Sequence, residues 1–184
     1  MAIDRFPPVE FADESGLLAV GGDLEVSSLL LAYSSGIFPW PMGGIREIPW
    51  FAPPTRAVLF LRDFRVPRSL RRAQRRGEVI YRVNSCFAEV IAACAAAKNR
   101  PGQRGTWITR QMVDAYTRLH NSGYAHSIEC FSGERLVGGL YGVGIAGMFA
   151  GESMFYREPN ASKLALCHLM ELLEARRVGW IDCQ

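Results

Sequence analysis

The sequence predicts a mixed α/β fold (α+β) in two parts, and three patterns indicate it. Between Gly138 and Phe155, six glycines and a run of apolar residues surround one acid, which is typical of a buried β-hairpin. On both sides of this hairpin apolar residues recur at helical spacing, so helices and strands share the larger part. Nearer the N-terminus, two tryptophans among five prolines at 37–54 exclude a helix, so the smaller part is irregular.

The smaller part is predicted to be a domain of residues 1–58. It begins with a short apolar strand in Gly16–Asp23 that ends at a Gly-Gly turn, and a helix follows over Leu24–Tyr33 and stops at Gly36. The segment at 37–54 is then neither a helix nor a central strand but a rigid apolar surface. Either its aromatic residues close a small core, or one of them forms the wall of a pocket for an apolar group.

The larger part is predicted to be a domain of residues 59–184 with a mixed sheet and helices between its strands. Its first elements are a strand at Arg56–Leu61, a helix capped by Ser85 with Phe87, Val90, Ile91 and Cys94 on one side, and a polar loop at 95–105. There follow a helix with Met112, Val113, Tyr116 and Leu119 on one side that ends at Gly123, strands at Ala125–Phe131 and from Leu136 onward, a helix at Asn160–Arg177 and a last strand at 178–184. Because that strand stops abruptly, we expect the C-terminal part of the domain to be missing.

The composition is that of a soluble globular protein. Apolar residues make up 49% and charged residues 21%, no run approaches the ~20 apolar residues of a membrane span, and the start has no secretory signal. Five scattered cysteines form neither a zinc-binding pattern nor a disulfide framework. They are typical of buried thiols in a reducing compartment, so the sequence predicts a cytoplasmic protein with no membrane partner.

A block of positive charge lies between Arg62 and Arg76, with seven arginines and one acid. Since the whole chain has 21 basic and 18 acidic residues, the rest of it is net negative. Such a block is often only a solvated face. Because guanidinium groups pair well with phosphate, the other interpretation is an RNA-binding surface. The arginines of this block are Arg62, Arg65, Arg68, Arg71, Arg72, Arg75 and Arg76.

Three polar side chains are candidates for chemistry. Glu152 is the acid of the glycine-rich hairpin. Because burying an unpaired carboxylate is costly, it either faces solvent on an edge strand or, inside the protein, has a shifted pKa, pairs with a cation or hydrogen-bond donors, or lines a wet cleft. Asp182 and Gln184 lie two residues apart in the last strand and therefore share a face. If that strand lies near the hairpin, the acid and the amide could orient and deprotonate an amine nucleophile.

The hairpin also contains a glycine motif, but its context argues against a dinucleotide-binding site. Gly142, Gly144 and Gly147 spell G-x-G-x-x-G, but the dinucleotide fingerprint must lead from a strand into a helix, and strand-like residues follow here. No Ser/His/Asp or Cys/His set stands out, and the three histidines are expected to be structural.

Eight sequence blocks resemble those of the bacterial leucyl/phenylalanyl-tRNA–protein transferases, in the same order and over nearly the whole chain. They are G-L-L-A-V-G-G-D-L at 16–24, G-I-F-P-W at 36–40, G-T-W-I-T at 105–109, A-H-S-I-E at 125–129, L-V-G-G-L-Y-G-V at 136–143, G-E-S-M-F at 151–155, N-A-S-K at 160–163 and I-D-C-Q at 181–184. The resemblance implies a small N-terminal domain and a catalytic domain similar to the GNAT acyltransferase fold. It also implies transfer of Leu or Phe, less readily Met, from aminoacyl-tRNA to the N-terminal Arg or Lys of a protein, which marks that protein for degradation by the bacterial N-degron route.

The same resemblance implies roles for individual residues. Asp182 would polarise the Gln184 amide, whose oxygen would take the ammonium proton, unless the RNA's own hydroxyl carries protons and these residues position the acceptor. Glu152 would hold an amino group or the cationic end of the acceptor. Leu140 stands where Met is commoner, which could change the preference between Leu and Phe. The residues expected to bind the substrate are Trp40, Trp107, Leu140, Phe149, Met154, Tyr33 and Tyr116, and the arginine block would grip the tRNA. The reaction needs no metal or cofactor, and the enzyme is expected to be a monomer.

Two other function classes stay open at this point. An N-acetyltransferase would share the fold, but its coenzyme-binding turn begins at Arg135, fails at Leu140 and continues as a strand. An RNA-binding module without catalysis would explain the arginines but not the acid and amide near the C-terminus. Binding of acetyl-coenzyme A would favour the first class, and RNA binding without transfer would favour the second.

Overall fold

The computed structural model describes residues 2–42, 45–97 and 106–184, and over these residues it has the predicted mixed α/β architecture. A small antiparallel sheet near the N-terminus has the strand order β1-β3-β2. Its strands are β1 (Leu17–Val20), β2 (Phe38–Pro39) and β3 (Pro49–Phe51), and helix α1 (Val26–Ser34) lies between the first two in sequence. The strand and helix predicted before residue 36 are confirmed.

The prediction that the segment at 37–54 holds no central strand is wrong. β3 is the middle strand of the small sheet and pairs with both β1 and β2. The sheet tolerates Pro49 because it is the first residue of β3 and contributes its carbonyl, which accepts the Trp40 N–H at 3.0 Å. Trp50 is almost fully buried, and its indole N–H donates to the Gly21 carbonyl at 2.8 Å. The strand is therefore anchored to the Gly-Gly turn.

A six-stranded sheet with the order β4-β9-β8-β7-β6-β5 forms the larger part. Its strands are β4 (Val58–Phe60), β5 (Ile80–Val83), β6 (Ala125–Ser132), β7 (Arg135–Ile145), β8 (Met148–Tyr156) and β9 (Trp180–Asp182). Neighbouring strands are antiparallel except β8 and β9, which are parallel because helix α5 (Ala161–Ala175) crosses over between them. The sheet is mixed, as predicted, and β9 lies inside it.

Helices cover both faces of the large sheet. Helices α3 (Phe87–Ala96) and α4 (Arg110–Asn121) pack with α1 on one face, and α2 (Arg68–Arg76) packs beside α5 on the other. The apolar positions predicted for α3 and α4 are buried, apart from the half-buried Val113. One apolar cluster joins the small sheet to α1, α3 and α4. The division of the chain after residue 58 stays a prediction.

Ser85 does not cap α3, contrary to the prediction. The residue before this helix is Cys86, and the Ser85 hydroxyl instead donates to Glu129 at 3.1 Å. Glu129 is fully buried on β6 and also accepts a hydrogen bond from Ser127. Because a buried polar side chain must be hydrogen-bonded, the hydroxyls of both serines donate to Glu129 and not to a helix end.

The glycine-rich hairpin consists of β7 and β8, joined by a turn in which Ala146 and Gly147 have positive φ. Strand and not helix follows the G-x-G-x-x-G pattern, so the dinucleotide context is missing, as predicted. A Cβ atom at Gly142 would lie 2.3 Å from the Ala150 carbonyl oxygen, so this close approach of the two strands requires glycine.

Three further predictions concern membrane-spanning helices, the polar loop and the burial of the cysteines. Of the residues described, no helix combines the length and apolar character needed to cross a membrane. The predicted polar loop falls mostly at 98–105, outside the described residues. The cysteines are not all buried as predicted: Cys86 is half-buried and Cys183 is exposed, beside the cleft described below.

Candidate active site

A cleft of about 650 Å³ lies where β8 and β9 separate. The two parallel strands pair only through Phe149 with Ile181 and through Ala150 with Asp182, and β8 then continues alone on that side. The lining is mostly apolar and comes from these strands, from β7 and from the first half of α5, with Leu59 of β4 and Ala97 at the end of α3. The separation of two neighbouring strands therefore opens the sheet to a ligand of small-molecule size.

Glu152 lines this cleft from a β-bulge in β8. Tyr141 of β7 is opposite Ser153, and the next residue, Gly142, is opposite Gly151. Glu152 is consequently an extra residue with no opposing partner in β7. Bulges of this kind redirect a side chain, and here the Glu152 carboxylate reaches α1 and the end of the chain.

Two side chains hydrogen-bond the same oxygen of Glu152. Tyr33, on α1, donates its hydroxyl to Glu152 Oε1 at 2.7 Å, and Gln184 donates its amide Nε2 to that oxygen at 2.8 Å. Behind Tyr33, the hydroxyl of Tyr116 on α4 hydrogen-bonds the Tyr33 hydroxyl. Tyr33 and Tyr116, expected to bind the substrate, thus lie together behind Glu152 and support its carboxylate.

Burial raises the pKa of Glu152 to about 7. Hydrogen bonds from Tyr33 and Gln184 oppose this rise, the Asp182 charge adds to it, and the Arg56 charge opposes it. Burial also holds the pKa of both tyrosines of this site well above the ordinary value, so they stay neutral. At neutral pH Glu152 therefore populates both its protonated and its ionised form, as an acid–base group requires.

Asp182 is 3% exposed and forms an ion pair with Arg56. Arg56 Nε donates to Asp182 Oδ1 at 3.2 Å, and its Nη2 makes a closer contact with Oδ2. The Gln184 backbone N–H also donates to Asp182 Oδ1, at 2.9 Å. Asp182 thus holds the backbone of Gln184, whereas we expected it to polarise the side-chain amide.

The reason that Gln184 faces Glu152 differs from the one given by the sequence. Strand alternation predicts that Asp182 and Gln184 share a face, but β9 ends at Asp182. Gln184 lies beyond the strand with a φ of 60°. A local turn, and not the period of a strand, brings its amide to Glu152.

The aromatic and apolar candidates fall into three places. Leu140 and Met154 are cross-strand partners in β7 and β8 and line the cleft with Glu152. Trp40 and Trp107 stack on each other with ring centres 4.9 Å apart, and neither belongs to the cleft lining. Phe149 lines a separate groove beside the β7–β8 turn. The structure therefore brings two of these five side chains to the cleft.

All seven arginines of the block are exposed. Helix α2 is fixed to α5 by buried Leu70, and Arg68, Arg71, Arg72 and Arg75 line a groove on its outer side. Arg76 follows them as the last residue of α2. Two other members have internal partners, since Arg62 stacks on Phe60 and Arg65 donates to the carbonyls of Arg62 and Phe64.

Arg56 is a residue of this site that the sequence did not indicate. It was placed only as the first residue of a strand, and its partner lies 126 positions away. A metal centre was not expected, and the described part of the chain has no group of three or more His, Cys, Asp or Glu side chains that could hold one.

Comparisons with known proteins give a consistent result. The family model described as leucyl/phenylalanyl-tRNA protein transferase matches residues 58–184, and the model of its N-terminal domain matches residues 22–54. A leucyl/phenylalanyl-tRNA--protein transferase of Dechloromonas aromatica is 51% identical over 99% of this chain and 78% of its own length. The one of Thiobacillus denitrificans is 53% identical over 97% and 78%. The structure of L-PGS from Bacillus licheniformis is 15% identical, covers 87% of this chain and 52% of its own, and has a TM-score of 0.49, too low to bear on function.

Proposed function

The chain belongs to the leucyl/phenylalanyl-tRNA protein transferase family and is an aminoacyltransferase, and we propose that it transfers Leu or Phe, and less readily Met, from aminoacyl-tRNA to the N-terminal Arg or Lys of acceptor proteins. The observation that carries this proposal is the Glu152–Gln184 pair at an apolar cleft. We further propose that the enzyme is a cytoplasmic monomer and that transfer marks its acceptors for degradation by the N-degron route.

The reaction is aminolysis of an ester. The acceptor α-amine, after losing the proton of its ammonium form, attacks the aminoacyl carbonyl carbon. The C–N bond forms, the C–O bond to the tRNA ribose breaks, and the ribose oxygen takes a proton. Because the ester is already activated, positioning and deprotonation of the amine supply most of the acceleration.

The side-chain contacts support a division of roles. The Gln184 amide nitrogen is engaged by Glu152, so its oxygen is the part that can accept a hydrogen bond from the ammonium proton. Glu152 has the charge to hold an amino group, and its pKa of about 7 lets it share that proton. Asp182 acts on Gln184 through the backbone N–H. Tyr33 and Tyr116 keep the Glu152 carboxylate oriented.

The apolar wall of the cleft would hold the side chain of the transferred amino acid. Leu140 is 3% exposed and Met154 is 42% exposed, so Met154 is the wall residue that is open to a ligand. Three other candidates lie outside this lining, namely Trp40, Trp107 and Phe149. They would contribute only if the aminoacyl end of the tRNA contacts the protein beyond the cleft.

Met154→Ala is expected to raise the ratio of kcat/KM for Phe over Leu by about 10-fold, because a larger pocket suits the larger side chain and one methylene in a hydrophobic pocket is already worth about that much. Competition between Phe-tRNA and Leu-tRNA measures the ratio. Met148→Ala, at the other end of β8 and outside the cleft lining, is the matched control. An unchanged ratio in Met154→Ala would remove the side chain from this wall.

Replacing Arg71, Arg72, Arg75 and Arg76 together by Ala is expected to weaken tRNA binding at low salt. Each phosphate contact adds somewhat under one unit to the log–log salt slope, so the slope should become shallower by about 3. Binding of labelled Leu-tRNA from low to moderate salt measures it. Alanine at the exposed Arg118 and Arg135, outside the block, is the control. If the slope of the fourfold variant equals that of the wild type, the block does not bind RNA.

The direct test is transfer of radiolabelled Leu from Leu-tRNA to a protein that begins with Arg, beside the same protein beginning with Ala. Transfer to the Arg protein alone is the expected result. Transfer to both would remove the acceptor preference, and transfer to neither, with RNA still bound, would favour an RNA-binding module.

A further inference from the structure

Arg56 is a charged side chain of the site to which the proposed function gives no role. Its guanidinium bridges two parts of the fold, since Nε and Nη2 bind Asp182 while Nη1 donates to the Gly36 carbonyl at 2.7 Å. Its guanidinium carbon also lies 5.0 Å from the centre of the Phe38 ring. All three nitrogens are thus used, and the flat face rests on an aromatic ring.

The ion pair of Arg56 and Asp182 is largely enclosed, with side chains 22% and 4% exposed. Removing one partner of such a pair leaves an uncompensated charge in a poorly hydrated place. The Gly36 carbonyl and the Phe38 ring belong to the segment that enters the small sheet. Arg56 therefore fixes the end of β9 against that segment.

We propose that Arg56 is a positioning residue of the transfer reaction, which holds Asp182 so that Asp182 sets Gln184 against Glu152. This inference rests on the proposed function. Asp182 Oδ1 accepts from Arg56 Nε and from the Gln184 backbone N–H together. Gln184 lies past the end of β9 with positive φ, so this hydrogen bond directs its side chain.

The pairing also decides which acid of the site is available to a substrate. Asp182 is neutralised by Arg56, whereas Glu152 forms no ion pair with any residue that the structure describes. A substrate ammonium group therefore goes to Glu152. Without Arg56, the unpaired Asp182 carboxylate would compete with Glu152 for that cation.

Arg56→Gln is expected to lower kcat for Leu transfer by about 100-fold, the cost of a misplaced reacting group. The KM for Leu-tRNA should stay within about two-fold, because the proposed tRNA-binding arginines lie on and before α2 and not at Arg56. Arg56→Lys keeps the charge but lacks the planar fork, so a loss of about 10-fold is expected. The control is Arg135→Gln, which breaks an exposed pair with Glu158 and should change neither constant.

The pH profile supplies a readout that a merely structural role would not move. The groups that face Glu152 are Tyr33, Gln184, Asp182 and Arg56, with Tyr116 behind Tyr33. The Arg56 charge favours the ionised form of Glu152, so its loss raises the Glu152 pKa. The rising limb of kcat against pH should therefore move to higher pH in Arg56→Gln and stay in place in Arg135→Gln.

A measurement without substrate separates this inference from the proposed function. In ¹⁵N-labelled protein, the side-chain amide signal of Gln184 should differ from that of a free glutamine, and it should become free-like in Arg56→Gln. A wild-type position of that signal, or a kcat within two-fold of the wild type, would overturn the inference. If the wild type transfers nothing, the proposed function fails, and the Gln184 amide signal alone decides whether Arg56 positions Gln184. Should Arg56→Gln not fold in thermal unfolding, Arg56→Lys is judged by the same two criteria.

Discussion

Replacing Glu152 by glutamine is expected to lower kcat for Leu transfer by about 100-fold or more and, at the same time, to make the protein more stable at pH 8. Glutamine can still accept hydrogen bonds from Tyr33 and Gln184, but it has no charge to hold an ammonium group and cannot take up its proton. A positioned acid–base side chain typically contributes about 100-fold to 10,000-fold to the rate of an enzyme.

The gain in stability follows from the pKa of Glu152. In the folded protein it is about 7, against an ordinary value of 4.5, so the folded state binds this proton more tightly than the unfolded chain. The contribution of this tighter proton binding to the free energy of unfolding is fully present below pH 4.5 and is lost as the pH rises through about 7. Because Glu152→Gln does not ionise, its free energy of unfolding at pH 8 should exceed that of the wild type by about 2 kcal/mol, allowing for the partial exposure of the group.

Thermal unfolding at pH 5 and pH 8, beside single-turnover transfer from pH 6 to pH 9, measures both effects. The wild-type rate should rise with pH through about 7. In Glu152→Gln this limb should be missing, and only the rise from deprotonation of the acceptor amine, near its ordinary pKa of about 8, should remain. Glu158→Gln, an exposed carboxylate paired with Arg135, should change neither quantity. A Glu152→Gln variant that transfers at the wild-type rate would place the chemistry elsewhere. One that melts earlier at both pH values would make Glu152 structural.

The elements that could be predicted are those with continuous periodic patterns. Helices α3 and α4 show apolar residues at helical spacing, and the hairpin of β7 and β8 shows glycines within an apolar run, so burial alone specifies them. β3 could not be predicted because proline argues against a strand unless it is the first residue, and only the sheet shows that Pro49 is. Ser85 was misplaced for a similar reason, since the buried Glu129 competes for its hydroxyl.

The candidate site was predictable in its residues and less so in its geometry. Glu152 stood out as the one charge of an apolar hairpin, but the bulge that turns it toward α1 leaves no periodic signal. Gln184 reaches it through a positive φ beyond the strand, which strand alternation does not describe. Arg56 was missed because a long-range ion pair has no spacing rule, and an arginine at the start of a strand is ordinary.

Replacing Gln184 in two ways should separate positioning from proton transfer. Gln184→Ala removes the amide oxygen, so kcat should fall by about 100-fold if that oxygen accepts the ammonium proton. Gln184→Glu places a second carboxylate where the amide now donates to Glu152 at 2.8 Å. Two carboxylates that close share a proton, so the apparent pKa of the pair rises and the rising limb of the pH profile should move up by more than one unit. Gln111→Ala, an exposed glutamine on α4, is the control and should behave as the wild type.

The division of the effect between kcat and KM decides between two routes for the proton. If the RNA hydroxyl carries it and Gln184 only positions the acceptor, Gln184→Ala should raise the KM for the acceptor protein and largely keep kcat at saturation. If the amide oxygen takes the proton, saturation with acceptor cannot restore kcat. An unshifted pH profile in Gln184→Glu would contradict both routes, because it would mean that this side chain does not lie against Glu152 in solution.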